Sequence, residues 1–355
     1  MLRTITREEF SQAQAVSFSR LAALANSPQA YRSGLEEEKS SSGLTFGSLV
    51  DSLLTQPEKL NNDFYVMTAK KPESEMMLRF AEKFAESGDI VLAYNLSGYK
   101  ISIDALKTKF DKEGKAYYDA LKASKGKEVI SFDMMTNANK VVSMLKNNPF
   151  TKKYFEPSED VEILYQVPIL WEFEGRFLPD ENISAKIPSK ILLDIIRIDH
   201  KARTIEPIDI KTGAEGFMKA YWKYRLYLQG SLYYYGVNNA VIQSENKSQY
   251  YRVLNTKFIY SDSDGVFPPV IYRMTDNDLT IGREGYYPMQ ILSTCVSTVC
   301  DGPLVAFPST KPKYKGFVRL AEELLWHKNN DLWDYPYDVY QSQGEIEIDS
   351  FIPKF

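Results

Sequence analysis

Apolar positions first recur at helical spacing, at Phe18, Leu21, Leu24 and Ala25, which predicts a helix. Ser27-Pro28 interrupts the pattern and can open a second helix, because proline is tolerated in a first turn. Leu35–Ser42 reads as a charged, serine-rich loop, and Thr45–Leu54 as a small buried helix ended by Gln56-Pro57. From Asn61 to Asn148 the chain is rich in lysine and glutamate, with amphipathic helices predicted at Met76–Glu86, Ile103–Lys122 and Met134–Lys146. After Pro149 the periodicity changes. Val161–Trp171, Lys190–Asp199 and Thr204–Lys211 read as strands, followed by a long helix over Gly216–Val237. Two more strands are expected at Tyr250–Tyr260 and Val266–Met274, and helices at Leu279–Cys300 and Gly316–His327. The aromatic tail, Asn329–Phe355, reads as irregular. This order predicts an α/β fold, a mixed central sheet flanked by helices, with helical additions at both ends.

The expected division has four parts. Residues 1–60 are N-terminal helices, 61–150 a Lys/Glu-rich helical insertion, 151–300 the α/β core, and 301–355 a C-terminal helix and tail. Lys107, Lys109, Lys112, Lys115, Lys122, Lys125 and Lys127 cluster in the insertion, as a solvated helix face or as one wall of a nucleic-acid groove.

Composition narrows the chemistry. The 355 residues include two histidines, His200 and His327, and two cysteines, Cys295 and Cys300. Neither a multi-histidine zinc site nor a four-cysteine zinc or iron–sulfur site can be built from them. The cysteine pair matches no ligand spacing and reads as core packing. A net charge of −4 excludes nucleic-acid binding by bulk positive charge, though not a local basic groove. No apolar run reaches the length of a membrane span, and MLRTITREEF lacks the apolar stretch of a secretory signal, so a cytoplasmic protein with no membrane partner is expected.

Chemistry concentrates between Lys190 and Lys211. Two apolar strands flank Asp199-His200-Lys201-Ala202-Arg203, which reads as a turn. If Asp199 pairs with Thr204, Asp194 stands directly opposite Asp209, and Lys211 shares its face. Two opposed carboxylates on an apolar hairpin repel each other, and a divalent cation removes the conflict. Mg²⁺ or Mn²⁺ suits this oxygen donor set, and an ammonium beside the cation suits phosphodiester hydrolysis. The bland alternative puts either aspartate at a solvated edge, paired with Lys211 or Arg197.

Asp194 followed by Asp209-Ile210-Lys211 resembles the catalytic core of the PD-(D/E)XK nuclease superfamily. Gln229-Gly230-Ser231-Leu232-Tyr233 is similar to the Gln-x-x-x-Tyr element of its RecB-like and exonuclease VIII (RecE-like) branch. Phe18-Ser19-Arg20-Leu21 with Ser27-Pro28-Gln29-Ala30-Tyr31 resembles that branch's opening segment, and Phe46–Leu54 its Gly-x-x-x-His-x-x-Leu-Leu helix. Met144–Phe150 and Glu162 fit its run-up to the core. The resemblance spans roughly residues 17–300. It implies a restriction-endonuclease-like core and metal-dependent digestion of duplex DNA, leaving 5′-phosphates. Asp194, Asp209 and the Ile210 carbonyl would hold the cation, with Asp51 and Glu162 as further ligands. Lys211 would act on the attacking water or the transition state, and Gln229, Tyr233 and Arg20 on the DNA. Asp51 stands where the family carries a histidine; as an oxygen donor it can still bind Mg²⁺ or Mn²⁺, the alternative being an altered metal preference or weakened activity.

The resemblance also implies a phage-type recombination setting beside a single-strand annealing recombinase, and a homo-oligomer. Two rivals share the motifs: an endonuclease with the same site, and a non-catalytic DNA-binding or assembly protein that kept the fold.

Overall fold

The computed structural model describes residues 4–34, 42–124, 126–242, 250–287, 289–292, 305–308 and 312–345. The chain divides into two compact units. Residues 1–39, 147–261 and 269–355 form the first, and 40–146 with 262–268 the second. The first sixty residues are therefore shared between the two units rather than forming one block.

The first unit opens with α1 (Arg7–Gln12), α2 (Phe18–Asn26) and α3 (Pro28–Ser33). Ser27 accepts a hydrogen bond from the Ala30 amide with Pro28 at the first helical position, so the Ser-Pro break does start a helix. The sheet follows with β1 (Val161–Arg176), β2 (Ser184–Asp199) and β3 (Thr204–Gly213). Two helices intervene, α4 (Phe217–Lys223) and α5 (Leu226–Ile242), before β4 (Arg252–Val253), β5 (Lys257–Asp262) and β6 (Val270–Arg273). The strand order is β1-β2-β3-β5-β6, with β4 beside β3. β1/β2, β2/β3 and β5/β6 are antiparallel and β3/β4 is parallel, so the sheet is mixed, as expected. Then come α6 (Asp276–Glu284), α7 (Phe317–Asn330) and α8 (Tyr337–Gln341).

Several boundaries differ from the pattern reading, each for a local reason. β1 and β2 are 16 residues long, and their outer halves alternate buried with exposed positions. That half-solvated arm is too polar to stand out beside the apolar inner half. The single helix expected over Gly216–Val237 is broken before α5, where Arg225 takes a left-handed φ of 56° and its guanidinium donates to Asn26 Oδ1 at 2.8 Å. The helix expected to run to Cys300 stops at Glu284. Gly285 leaves it with φ 103°, a conformation glycine reaches at no steric cost, and short strands follow at Gly285–Tyr286 and Met289–Leu292. Cys295, Cys300 and Lys125 lie outside the described residues.

The core of this unit is built around α5, which is apolar on nearly every side. Leu228, Leu232 and Val237 are fully buried, and the helix packs against β1, β2 and β3 and against α6. Of the aromatic tail, the described residues through Glu345 carry the short helix α8 and otherwise run irregularly, but they pack into the unit. Trp333 stacks between Tyr31 and His327, with centroids 5.4 Å away on each side. Burial holds the His327 imidazole below its usual range, which marks it as a packing residue.

The second unit is largely helical, with segments at Ser42–Thr55, Glu75–Ser87, Ile90–Ser97, Ile103–Glu113, Lys115–Ser124 and Phe132–Asn147. Met77, Phe80, Leu106, Phe110 and Tyr117 share its core. A two-stranded parallel sheet, Phe64–Met67 with Glu128–Ser131, was not apparent from the pattern. The helix expected over Ile103–Lys122 divides at Gly114, where a β-carbon would press on Met77 Sδ and Phe110 at 2.8 Å. Lys107 and Lys109 lie 3.6 and 3.7 Å from Asp104 and Glu113 of their own helix, the pattern of a solvated face. No helix among the described residues is long and apolar enough to cross a membrane.

The α5–α6 crossing depends on Gly282, since a β-carbon there would run into the Tyr227 carbonyl and Ser231. Gly282→Ala is expected to destabilise the first unit by about 1–3 kcal/mol, read as a shifted urea midpoint with unchanged slope.

Candidate metal and catalytic site

The register of β2 and β3 matches the sequence reading: Asp199 faces Thr204, and the pairing continues to Ile195 opposite Ile208. It stops there, one position short of Asp194 and Asp209. Beyond that point side-chain bonds replace the ladder. The Ile210 amide donates to Asp194 Oδ2 at 2.8 Å, which clips the Asp194 carboxylate onto the backbone of the facing strand.

Asp209 is 1% exposed. Ile195, Ile196 and Ile208, all fully buried, explain why so apolar a hairpin is stable and why water is kept from the aspartate. A buried carboxylate needs partners, and Asp209 has them. Lys211 Nζ lies 2.5 Å from Oδ2. Gln229 Nε2 donates to Oδ1 at 3.1 Å and approaches the Tyr233 hydroxyl at 2.8 Å. Tyr233 is hydrogen-bonded to Asp209 as well. Gln229 and Tyr233 are four residues apart on α5 and so share a face. Burial, and then the charges of Asp209 and Asp194, push the Tyr233 phenol well above its ordinary range and keep it a neutral donor. For Asp209 the solvated-edge alternative fails on burial, although Lys211 does pair with it; Asp194 is half-buried. Arg197 is engaged elsewhere, with Asp199 at 3.3 Å and Glu206 at 3.9 Å.

Not every expected residue joins this cluster. Glu162 is paired with Ile198, four residues along β1 from the position facing Asp194, or roughly 13 Å at strand rise. It lies 3.5 Å from His200 Nε2, whose Nδ1 bonds the Tyr251 hydroxyl. The structure does not bring it to the aspartates. Gln229 and Tyr233 are buried against Asp209 rather than presented to a ligand at the surface. Arg20 is hydrogen-bonded to Tyr31. Asp51 sits on the Ser42–Thr55 helix of the second unit, its Oδ1 3.5 Å from Thr55 Oγ1. The site built here comes from the first unit alone. Among the described residues no group of three or more His, Cys, Asp or Glu side chains converges. The donor set is two carboxylates, which fits a hard cation that keeps most of its coordination sphere as water.

One residue escaped the pattern reading. Gln166 lies within β1 at the register position of Asp194, yet the pairing skips it, and it adopts a left-handed φ of 51°. That costs about 1 kcal/mol for a residue with a side chain. It is 8% exposed, and its Oε1 accepts from Arg7 Nη2 at 2.6 Å. The available signal was a lone glutamine inside the apolar run Val161–Trp171.

No family model matches the sequence, and no curated protein matches it significantly. Among solved structures, the chain is similar to one named "Putative exonuclease" from Eubacterium rectale. The sequence identity is 15% and the TM-score 0.37, over 78% of this chain and 80% of that one. A likeness that loose carries no inference, so the site stands on its geometry.

Two outcomes follow from the packing around Asp209. Gln229→Leu, which leaves Oδ1 without its amide donor, is expected to lower stability by about 1–3 kcal/mol in urea unfolding. Because the folded-state pKa of Tyr233 is raised, its contribution is intact below about 10 and declines as pH climbs through the folded value. Tyr233→Phe should flatten that alkaline loss of stability.

Proposed function

We propose that the first unit is the catalytic core of a metal-dependent deoxyribonuclease of the PD-(D/E)XK type, acting as an exonuclease on linear duplex DNA. The supporting observation is the buried Asp209 carboxylate, held by Lys211 at 2.5 Å beside an Asp194 clipped to the Ile210 amide. Lys211 offsets one of the two carboxylates in this apolar hairpin, and a divalent cation would offset the pair.

In this reading Asp194 and Asp209 hold Mg²⁺ or Mn²⁺. When bound, the cation neutralises phosphoryl charge and makes water a nucleophile near neutral pH. Gln229 and Tyr233 fix the Asp209 carboxylate in one orientation, so little reorganisation is needed at the moment of reaction. Lys211, tethered to Asp209, places its ammonium where charge develops on the phosphorane and orients the attacking water. The apolar hairpin beneath lowers the local dielectric and strengthens each of these interactions. Digestion from an end, 5′-phosphate products and work beside an annealing recombinase follow from the resemblance.

Asp209→Asn and Lys211→Met are each expected to reduce Mg²⁺-dependent digestion of linear duplex by about a hundredfold or more. Near-native turnover in both would refute the mechanism. Closed circular duplex should resist the unsubstituted protein; cutting it as fast as linear DNA would make the enzyme an endonuclease.

A further inference from the structure

The residues that β1 and β2 send into the core around α5 do not keep a single alternation. On β1 Leu164 packs against that core, but beyond Gln166 the core residues are Val167, Ile169 and Trp171. On β2 they are Ile191 and Leu193, then Ile196 and Ile198. Strict strand alternation would keep either the even or the odd positions on one face. Both strands therefore slip by one residue at the same level, and that level is where Gln166 and Asp194 face each other. The flanking pairs, Tyr165 with Ile195 and Val167 with Leu193, keep one register, so no residue is inserted in either strand.

The helix α5 reads out the same slip. Gln229, Tyr233 and Gly236 lie on one helical face. Gln229 bonds Asp209, while a β-carbon at Gly236 would press on Ile191 and on Trp171 Nε1 at 2.9 Å. Asp194, which shares the alternation of Ile196 and Ile198 and bonds the Ile210 amide, and Ile191 thus turn toward the same core although three residues apart. Without the slip, packing Ile191 and Leu193 against α5 would send Asp194 to the opposite face.

We propose that Gln166 is a positioning residue for the candidate metal site: its left-handed backbone, locked by Arg7, turns Asp194 toward Asp209 and α5. The N-terminal segment supplies the lock. Thr6 caps α1 through a capping box with Glu9, the Ile5 amide donates to the Pro168 carbonyl at 3.3 Å, and Arg7 reaches Gln166 from there. Strain that the surroundings hold in place is characteristic of sites where orientation matters. The inference rests on the nuclease reading only for what Asp194 does, not for how it is aimed.

The test compares Gln166→Gly with Gln166→Ala in the full chain. In an ordinary strand alanine is the milder change; in a left-handed position glycine is. The first readout is hydrogen exchange of the Ile210 amide, which Asp194 protects, referenced to the Ile208 amide. The second is calorimetric affinity for Mn²⁺ alone. Gln166→Ala should speed Ile210 exchange about tenfold relative to Ile208 and weaken Mn²⁺ binding at least fivefold. Gln166→Gly should stay within about twofold of the unsubstituted chain on both counts. Arg7→Ala, which removes the lock and leaves the core intact, should shift both readouts in the direction of Gln166→Ala. Alanine matching or bettering glycine overturns the positioning role. If the unsubstituted chain takes up no Mn²⁺, the nuclease reading fails, and Ile210 exchange still decides the role of Gln166.

Discussion

The buried carboxylate of Asp209 is the constraint around which the first unit is arranged. A charge nine-tenths or more withdrawn from water must be met by donors, and here they come from two elements: Lys211 two residues along its own strand, and Gln229 and Tyr233 on α5. Those contacts fix the rotation of α5 about its axis. With α5 oriented, Gly236 meets Trp171 and Ile191, and Gly282 of α6 can close on Tyr227 and Ser231. The apolar core and the polar cluster are thus one packing solution. Replacing a partner of Asp209 acts on both, since breaking a buried ion pair by removing one member leaves an uncompensated charge.

The hairpin was legible because its physics is local. Two β-branched apolar runs about a short polar turn admit few registers, and the pairing of Asp199 with Thr204 follows from the turn. From that register alone, Asp194, Asp209 and Lys211 fall together. Gln229 and Tyr233 were legible as a helical pair, but their destination was not. Only the packing of α5 shows that their polar groups turn inward to a carboxylate instead of outward to a ligand. Glu162 illustrates the opposite failure. An acidic residue in an apolar strand looks like part of a site, yet its distance from Asp194 is a matter of register, and the register puts it beside His200.

The slip at Gln166 was hidden for a different reason. The side chain of this left-handed glutamine accepts from Arg7, which is 159 residues away in sequence. The breaks at Arg225, bonded to Asn26, and at Gly114, pressed by Met77, have the same character. Helical and strand propensity describe a residue's own backbone, and these positions are settled by tertiary contacts that override it.

The arrangement of the chain has a consequence for assembly. Helices α1 to α3 precede the second unit, while β1 and β2, against which the N-terminal segment bonds, come more than a hundred residues later. The ring of Tyr31 waits still longer, for Trp333 near the other end. These helices are made before the strands and the Trp333 ring they pack against, so this packing closes only after residue 333 has been made. The second unit, contiguous but for the short segment at residues 262–268, can gather its core of Met77, Phe80 and Phe110 well before then. Until then Leu21, Leu24 and Tyr31 of α2 and α3 lack the sheet and α7 residues that bury them in the folded unit.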